Sequence, residues 1–254
     1  MPLKFSVLSL FPQQVRQALD FSMTRRALEK GLIELETVDI RDFAVNEYGQ
    51  VDDAPYGGGR GMVMMCEPIY RAWQSVVSDS QDVRTIYLSP AGQVFDHRKA
   101  REYSVEEQLV FICGHYEGVD RRVLDQIGVE EVSIGNFILT GGELAATVMI
   151  DAISRFIPGV LPDEEAWRID SFSDGLLEWP QYTRPAVWRE REVPGVLRSG
   201  HQADIDRERR LMQLLETLQK KPFLLQQTPI DPQLWELLAE RLAMQRDALD
   251  ESTE

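Results

Sequence analysis

Three short stretches could hold a polar ligand with main chain alone: SPAG (89–92), GHYEG (114–118) and IGNFILTGG (134–142). In the third, Phe137-Ile138-Leu139 lies between Gly135-Asn136 and the pair Gly141-Gly142. Glycine beside a strand forgoes side-chain packing and costs backbone entropy, so its use on both sides points to something passing close to the chain. Any one stretch alone reads as an ordinary tight turn. All three follow apolar runs that read as strands, and in open α/β sheets ligands bind outside the carboxyl ends of the strands. Together they make one crevice with many free N–H and C=O groups. The familiar phosphate-cradling patterns fail. PYGGGRGMVM puts Gly57, Gly59 and Met62 where G-x-G-x-x-G needs a last glycine, and neither G-x-x-x-x-G-K-[ST], G-x-S-x-G nor H-E-x-x-H occurs. A nucleoside ligand held by main chain, with no phosphate to cradle, fits what remains.

The elements that would position these loops follow from periodicity. Residues 4–10 read as a buried first strand, and Pro12 opens one helical stretch through Leu28, stopped by Gly31 at a C-terminal cap. IELETVDI (33–40) alternates as a half-buried strand, and a polar loop then ends in DDAPYGGGRGM. A short apolar run (62–65) precedes a helix over 67–77 with Pro68 in its first turn. Strands over 83–88, 109–113 and from 131 alternate with helices over 96–104, 119–127 and 143–157. That alternation predicts an α/β fold with a mostly parallel sheet covered on both faces. From Pro158 the composition shifts to Pro, Asp, Ser, Gly and Trp without a period, so 161–180 reads as a linker or ordered functional loop after a first domain of 1–160. Amphipathic helices near 203–219 and 232–249 give a small helical domain over 181–254, ending in a DESTE tail expected to be disordered.

Composition narrows the function classes. With 254 residues, 43% hydrophobic and 27% charged, the chain has an ordinary globular balance and a substantial core. No apolar stretch approaches the roughly 20 residues of a membrane span, and MPLKFSVLSLFP reads as a strand, not a signal peptide. Cys66 and Cys113 sit in apolar runs as reduced core thiols of a cytoplasmic protein. His97, His115 and His201 are not at metal-ligand spacing, so no metal ligands are assigned. A net charge of −15 opposes non-specific binding to a polyanion but leaves room for a local basic patch.

The stretches VDDAPYGGGRGM, IYLSPAGQ, CGHYEGVDRR, EEVSIGNFILTGGELA, DAISRFIPGVL, DSFSDGLLEWPQYTRP and VPGVLRSGH, in this order, resemble the bacterial tRNA (guanine-N1)-methyltransferases. These form part of the trefoil-knotted (SPOUT) class of S-adenosylmethionine-dependent enzymes. The resemblance covers Phe5 to about Leu225. It implies a deep trefoil knot, an exception to the usual rule against threaded chains, with the methyl donor held bent inside it. Gly135, Gly141 and Gly142 would leave room for the crossing chain and the ligand. Ile134, Gly135, Asn136, Phe137, Ile138 and Leu139 would hold the methyl donor mainly through backbone groups. Leu88, Ser89, Pro90, Gly114 and Tyr116 would complete the pocket, with Glu117, Thr140, Gly141 and Gly142 beside them.

The resemblance also assigns chemistry. Guanine N1 carries a proton that a general base must remove as the methyl arrives, and charge then develops on O6. By alignment to the family motif, Asp170 is the base and Arg155 the matching cation. Read alone, Asp170 is a turn or cap residue and Arg155 a solvated helix charge; Asp174, a rival base by type, reads as a turn residue. Asp52, Gly61, Arg184 and Arg207 are carried over as substrate-binding. Arg189, Arg191, Arg209, Arg210, Lys220 and Lys221 could extend a phosphate-contacting face, although interleaved acids equally suit a salt-bridged helix. The family implies a homodimer with a shared active site, the guanosine on the 3′ side of the tRNA anticodon as target, and a magnesium requirement with no site visible. Four positions depart from the family pattern: Arg60 and Ala145 stand for Pro, Asn136 for Asp and Glu208 for Trp. Glu208 in particular would put a negative charge on the proposed tRNA face. Two other classes stay open: a dinucleotide or small-molecule enzyme on an unknotted sheet, and a knotted RNA-binding protein without activity.

Overall fold

Strand β1 (Leu3–Ser9) is buried along nearly its whole length, as expected for an apolar run at the middle of a sheet covered on both faces. The computed structural model describes residues 1–77, 83–163 and 166–251, so the end of the DESTE tail lies outside the described residues. After β1 come α1 (Pro12–Leu19), α2 (Ser22–Glu29), β2 (Ile33–Asp39), β3 (Asp52–Asp53), β4 (Val63–Met64) and α3 (Cys66–Gln74). Then follow β5 (Arg84–Val94), α4 (His97–Tyr103), β6 (Gln108–Ile112), α5 (Arg121–Ile127), β7 (Glu130–Ser133) and α6 (Glu143–Ser154). Five strands form one sheet in the order β2-β1-β6-β5-β7, and every pairing is parallel. Parallel pairing needs crossover connections, and the helices supply them on both faces.

The two faces have separate cores. Phe5, Val7, Leu109, Phe111, Ile86 and Leu88 point to one side, where α1, α2, α4 and α6 cover them through Val15, Ala27, Tyr103 and Met149. Leu8, Val110 and Ile112 face the other side, covered by Ile69 and Ala72 of α3 and Val123 of α5. Phe111 is wholly buried, so truncating it to alanine would cost roughly 3–5 kcal/mol.

Two local readings need correction. The single helix expected over 12–28 is two, because Asp20 and Phe21 leave the helical region at ψ 37° and 153°. The Thr24 hydroxyl donates to the Leu19 carbonyl at 2.7 Å, satisfying an acceptor that the break exposes. SPAG does not follow a strand end; it lies inside β5. Leu88 pairs with Val132, residues 89–92 leave the ladder, and Gln93 pairs with Val132 again before Val94 meets Ser133. Such an excursion re-aims side chains at the cost of local ladder bonds. It turns Ser89 and Pro90 out of the sheet.

The chain divides into two compact units, Met1–Glu164 and Glu165–Glu254. The second contains α7 (Ala166–Ile169), the hairpin β8 (Val187–Trp188) and β9 (Arg191–Glu192), and helices α8 (Gln202–Lys220) and α9 (Pro232–Glu251). Leu211, Leu214, Leu234 and Leu238 join the two long helices. Glu208 is buried at 9% exposure and its two carboxylate oxygens accept from Arg241 at 2.8 and 2.7 Å. The charge expected to face RNA is therefore turned inward and neutralised by a bidentate partner.

Candidate active site

The excursion in β5 and the carboxyl ends of β6 and β7 surround a cavity of about 650 Å³, within the roughly 300–1,000 Å³ usual for small-molecule sites. Leu88, Ser89 and Pro90 enter from the excursion in β5, and Gly114, Tyr116 and Glu117 from the loop after β6. Ile134, Gly135, Phe137, Ile138, Leu139, Thr140, Gly141 and Gly142 form the wall that leads into α6. Asn136 is exposed and does not line the cavity. Its departure from the family's aspartate therefore leaves the cavity wall unaltered. Ala145 does line it, in the first turn of α6. Proline is tolerated there because the N–H has no intrahelical partner, so alanine at this position preserves the turn.

Close backbone approach explains the glycines. A Cβ on Gly142 would stand 2.7 Å from Cys113 Cα, closer than real Cβ contacts come, and Gly142 N–H donates to the Gly114 carbonyl at 3.1 Å. On Gly92 a Cβ would fall against the backbone of Glu131 and Val132. At the loop after β6, Gly118 N–H donates to the His115 carbonyl at 3.0 Å and Tyr116 sits at φ +58°. That conformation is uncommon for a side chain of this size and is characteristic of functional loops. Burial pushes the Tyr87 hydroxyl up from its ordinary pKa, and a Cβ on Gly114 would lie 3.0 Å from that oxygen.

The polar hairpin loop also reaches this region. Glu117 N–H donates to Met62 O, Met64 N–H to Gly118 O and Asp120 N–H to Met64 O, at 3.0, 2.9 and 3.0 Å. Gly61 therefore lies against Glu117, where a Cβ would be 2.5 Å from Oε1. Asp52, on β3, is half-buried and pairs with Met64 without lining the cavity. Beneath Gly142, Cys113 is wholly buried, and burial followed by the Glu143 carboxylate pushes its thiol well up.

Of the remaining residues singled out, Arg155 caps the C-terminal end of α6 and lines a separate hollow of about 120 Å³ with Phe21, Ser22 and Asp151. In the second unit, Asp170 is half-buried just after α7, and its carbonyl accepts from Ser173 N–H at 3.2 Å. Asp174 pairs with Arg210 and accepts from Leu176 N–H at 3.2 Å, which gives the rival base a turn-fixing role. Arg184 and Arg207 are exposed. Among the described residues no group of three or more His, Cys, Asp or Glu is placed to hold a metal ion, and no helix is long and apolar enough to cross a membrane.

Several cavity residues are not singled out by the sequence, among them Tyr87, Ala91 and Ser133, and the one with the most chemistry to offer is His115. The motif GHYEG contained it, but its significance depends on Glu143, and nothing local marks that pairing.

Comparison with known proteins gives the family. Residues 3–227 match the family model described as "tRNA (Guanine-1)-methyltransferase TrmD". Relatives named tRNA (guanine-N(1)-)-methyltransferase include one from Geobacter metallireducens, 49% identical over 229 residues, covering 90% of this chain and 94% of the relative. One from Staphylococcus aureus is 46% identical over 228 residues (90% and 93%), and one from Lachnoclostridium phytofermentans is 44% identical over 252 residues (89% and 92%). With a match that spans most of the chain and cavity loops that fall inside it, this chain belongs to the tRNA (guanine-1)-methyltransferase family.

Proposed function

We propose that the cavity beyond β5, β6 and β7 binds S-adenosylmethionine, and that a homodimer in the cytoplasm methylates N1 of the guanosine on the 3′ side of the tRNA anticodon, position 37. The product would support reading-frame maintenance in translation. The observation that carries this reading is the cavity itself: its volume suits a nucleoside-sized ligand, and Gly135, Gly141 and Gly142 leave backbone accessible in its wall over 134–142. Bound there, S-adenosylmethionine supplies an electrophilic methyl on a sulfonium. Residues 134–139 would hold the adenine through main-chain groups, with 88–90 and 114–117 enclosing the rest. The sheet would be threaded as a trefoil knot, with residues 1–160 as the methyl-donor domain, 161–180 as the active-site loop and 181–254 as the tRNA-binding domain.

The Asp170 carboxylate takes the proton from guanine N1, worth roughly 10²–10⁴-fold in rate. Arg155 faces O6 and stabilises the charge that grows there. Within one chain Arg155 lines its own hollow, so the reading needs a second copy to complete the site. An apolar surface is available for it. Leu144 and Val148 on the outer face of α6 are exposed, as are Phe137 and Ile138, and a helix apolar on both sides is normally covered. Asp52, Gly61, Arg184 and Arg207 would contact tRNA. Magnesium belongs to the same reading only as a family requirement, since no cluster to hold it is present among the described residues.

The test is radiolabelled methyl transfer to unmodified tRNA carrying G or A after the anticodon. Incorporation into the G form alone is expected; incorporation into both or neither contradicts the reading. Asp170→Ala should keep methyl-donor binding by calorimetry while transfer falls by about 10²–10⁴-fold. Lost binding would instead assign Asp170 a structural role.

A further inference from the structure

Glu143, the first residue of α6, is 1% exposed, and a buried carboxylate persists only when fully hydrogen-bonded. Ser9 Oγ lies 2.5 Å from its Oε1. The Ser9 Oγ already accepts the Phe11 N–H at 2.7 Å, so its single hydroxyl proton points to Glu143. The other partner is His115 Nε2, at 2.8 Å from both Oε1 and Oε2. Equal distances fit one N–H shared between the two oxygens of a carboxylate. A protonated carboxyl donating to the ring would favour one oxygen. The other nitrogen, Nδ1, has no hydrogen-bond partner among the described residues. The helix N-terminus also favours negative charge on Glu143.

We propose that His115 is a methyl-donor-positioning residue: the Glu143–Ser9 pair fixes its imidazole as the neutral tautomer, protonated at Nε2 and bare at Nδ1, in the wall of the cavity. The proposal rests on reading that cavity as the methyl-donor site. S-adenosylmethionine carries positive charge at sulfur and at its ammonium group. A neutral imidazole offers an acceptor lone pair to an N–H or O–H of such a ligand, whereas an imidazolium would repel it. Glu143 behind the ring keeps a negative charge that neutral His115 does not cancel. Gly141 belongs to the same device, since a Cβ there would strike the His115 ring and stand 2.5 Å from Glu143 Oε2.

Nitrogen-15 NMR of histidine-labelled full-length protein reads the tautomer directly, with His115 assigned by substitution. The wild type should show neutral imidazole with hydrogen on Nε2. Glu143→Gln, whose amide donates to Nε2, should move the hydrogen to Nδ1. Calorimetry with S-adenosylmethionine should show affinity reduced about tenfold in Glu143→Gln, as for loss of one charge-assisted hydrogen bond. His115→Gln keeps a donor toward Glu143 but lacks the Nδ1 acceptor, so it should melt like wild type and bind about tenfold more weakly. Wild-type hydrogen on Nδ1, or both variants binding as tightly as wild type, overturns the His115 role and leaves the cavity reading intact. A wild type that binds no S-adenosylmethionine overturns the cavity reading and this proposal with it.

Discussion

Two glycine-rich regions of the first unit look alike in sequence and differ in what they need glycine for. Gly57 and Gly58 adopt φ +86° and +77°, and a Cβ at either would meet nothing within 4 Å. Gly92 and Gly142 lie outside the left-handed region, yet a Cβ at either would collide with backbone. The first pair supplies conformation and the second supplies space. Only the second kind marks a place where segments distant in sequence come together, and it is there that the cavity forms.

That distinction predicts a graded series. Gly142→Ala should have the largest effect on methyl-donor binding, because Gly142 lines the cavity. Its Cβ would stand 2.7 Å from Cys113 Cα, and backbone cannot step aside as a side chain can. We expect a loss of roughly 1–3 kcal/mol in thermal or denaturant unfolding, typical of overpacking, with methyl-donor binding abolished in calorimetry. Gly92→Ala should destabilise within the same range, about 1–3 kcal/mol, through the β5–β7 ladder. Its methyl-donor affinity should fall less, because the clash is with Glu131 and Val132 and not with the α6 loop. Gly114→Ala meets Tyr87 Oη at 3.0 Å, a side-chain atom able to yield, so methyl-donor affinity should weaken only a few-fold, under about 1.4 kcal/mol. Gly58→Ala should cost about 1 kcal/mol of left-handed strain and leave methyl-donor affinity unchanged. An equal loss of binding from Gly58→Ala and Gly142→Ala would erase the distinction.

The sequence made visible whatever local pattern decides. The apolar run over 4–10 reads as a buried first strand, and β1 is buried along nearly its whole length; Gly31 at φ +64° ends α2, as its position after the helix implies. What stayed hidden depends on partners far along the chain. The break at Asp20 and Phe21 carries no proline or glycine to announce it. SPAG has the composition of a strand-ending turn, but the return of Gln93 to Val132 is decided by β7, which follows 36 residues later. Glu208 looks like a surface charge until Arg241 meets it, and His115 looks like a loop residue until Glu143 does. The loop over 134–142 stands out by its glycines, but alone it reads as a turn; beside 89–92 and 114–118 it reads as a crevice, and its donor-binding role comes from the resemblance. Asp170 and Arg155, in contrast, stand out by resemblance to the family and have no local signature of their own.

The central claim is that the methyl donor occupies the glycine-lined cavity beside β5, β6 and β7. A crystal structure of the full chain soaked with S-adenosylmethionine tests it most directly. Ligand density bounded by residues 88–90, 114–117 and 134–142 is the predicted result; density at any other place on the chain, with this cavity empty, would contradict the account.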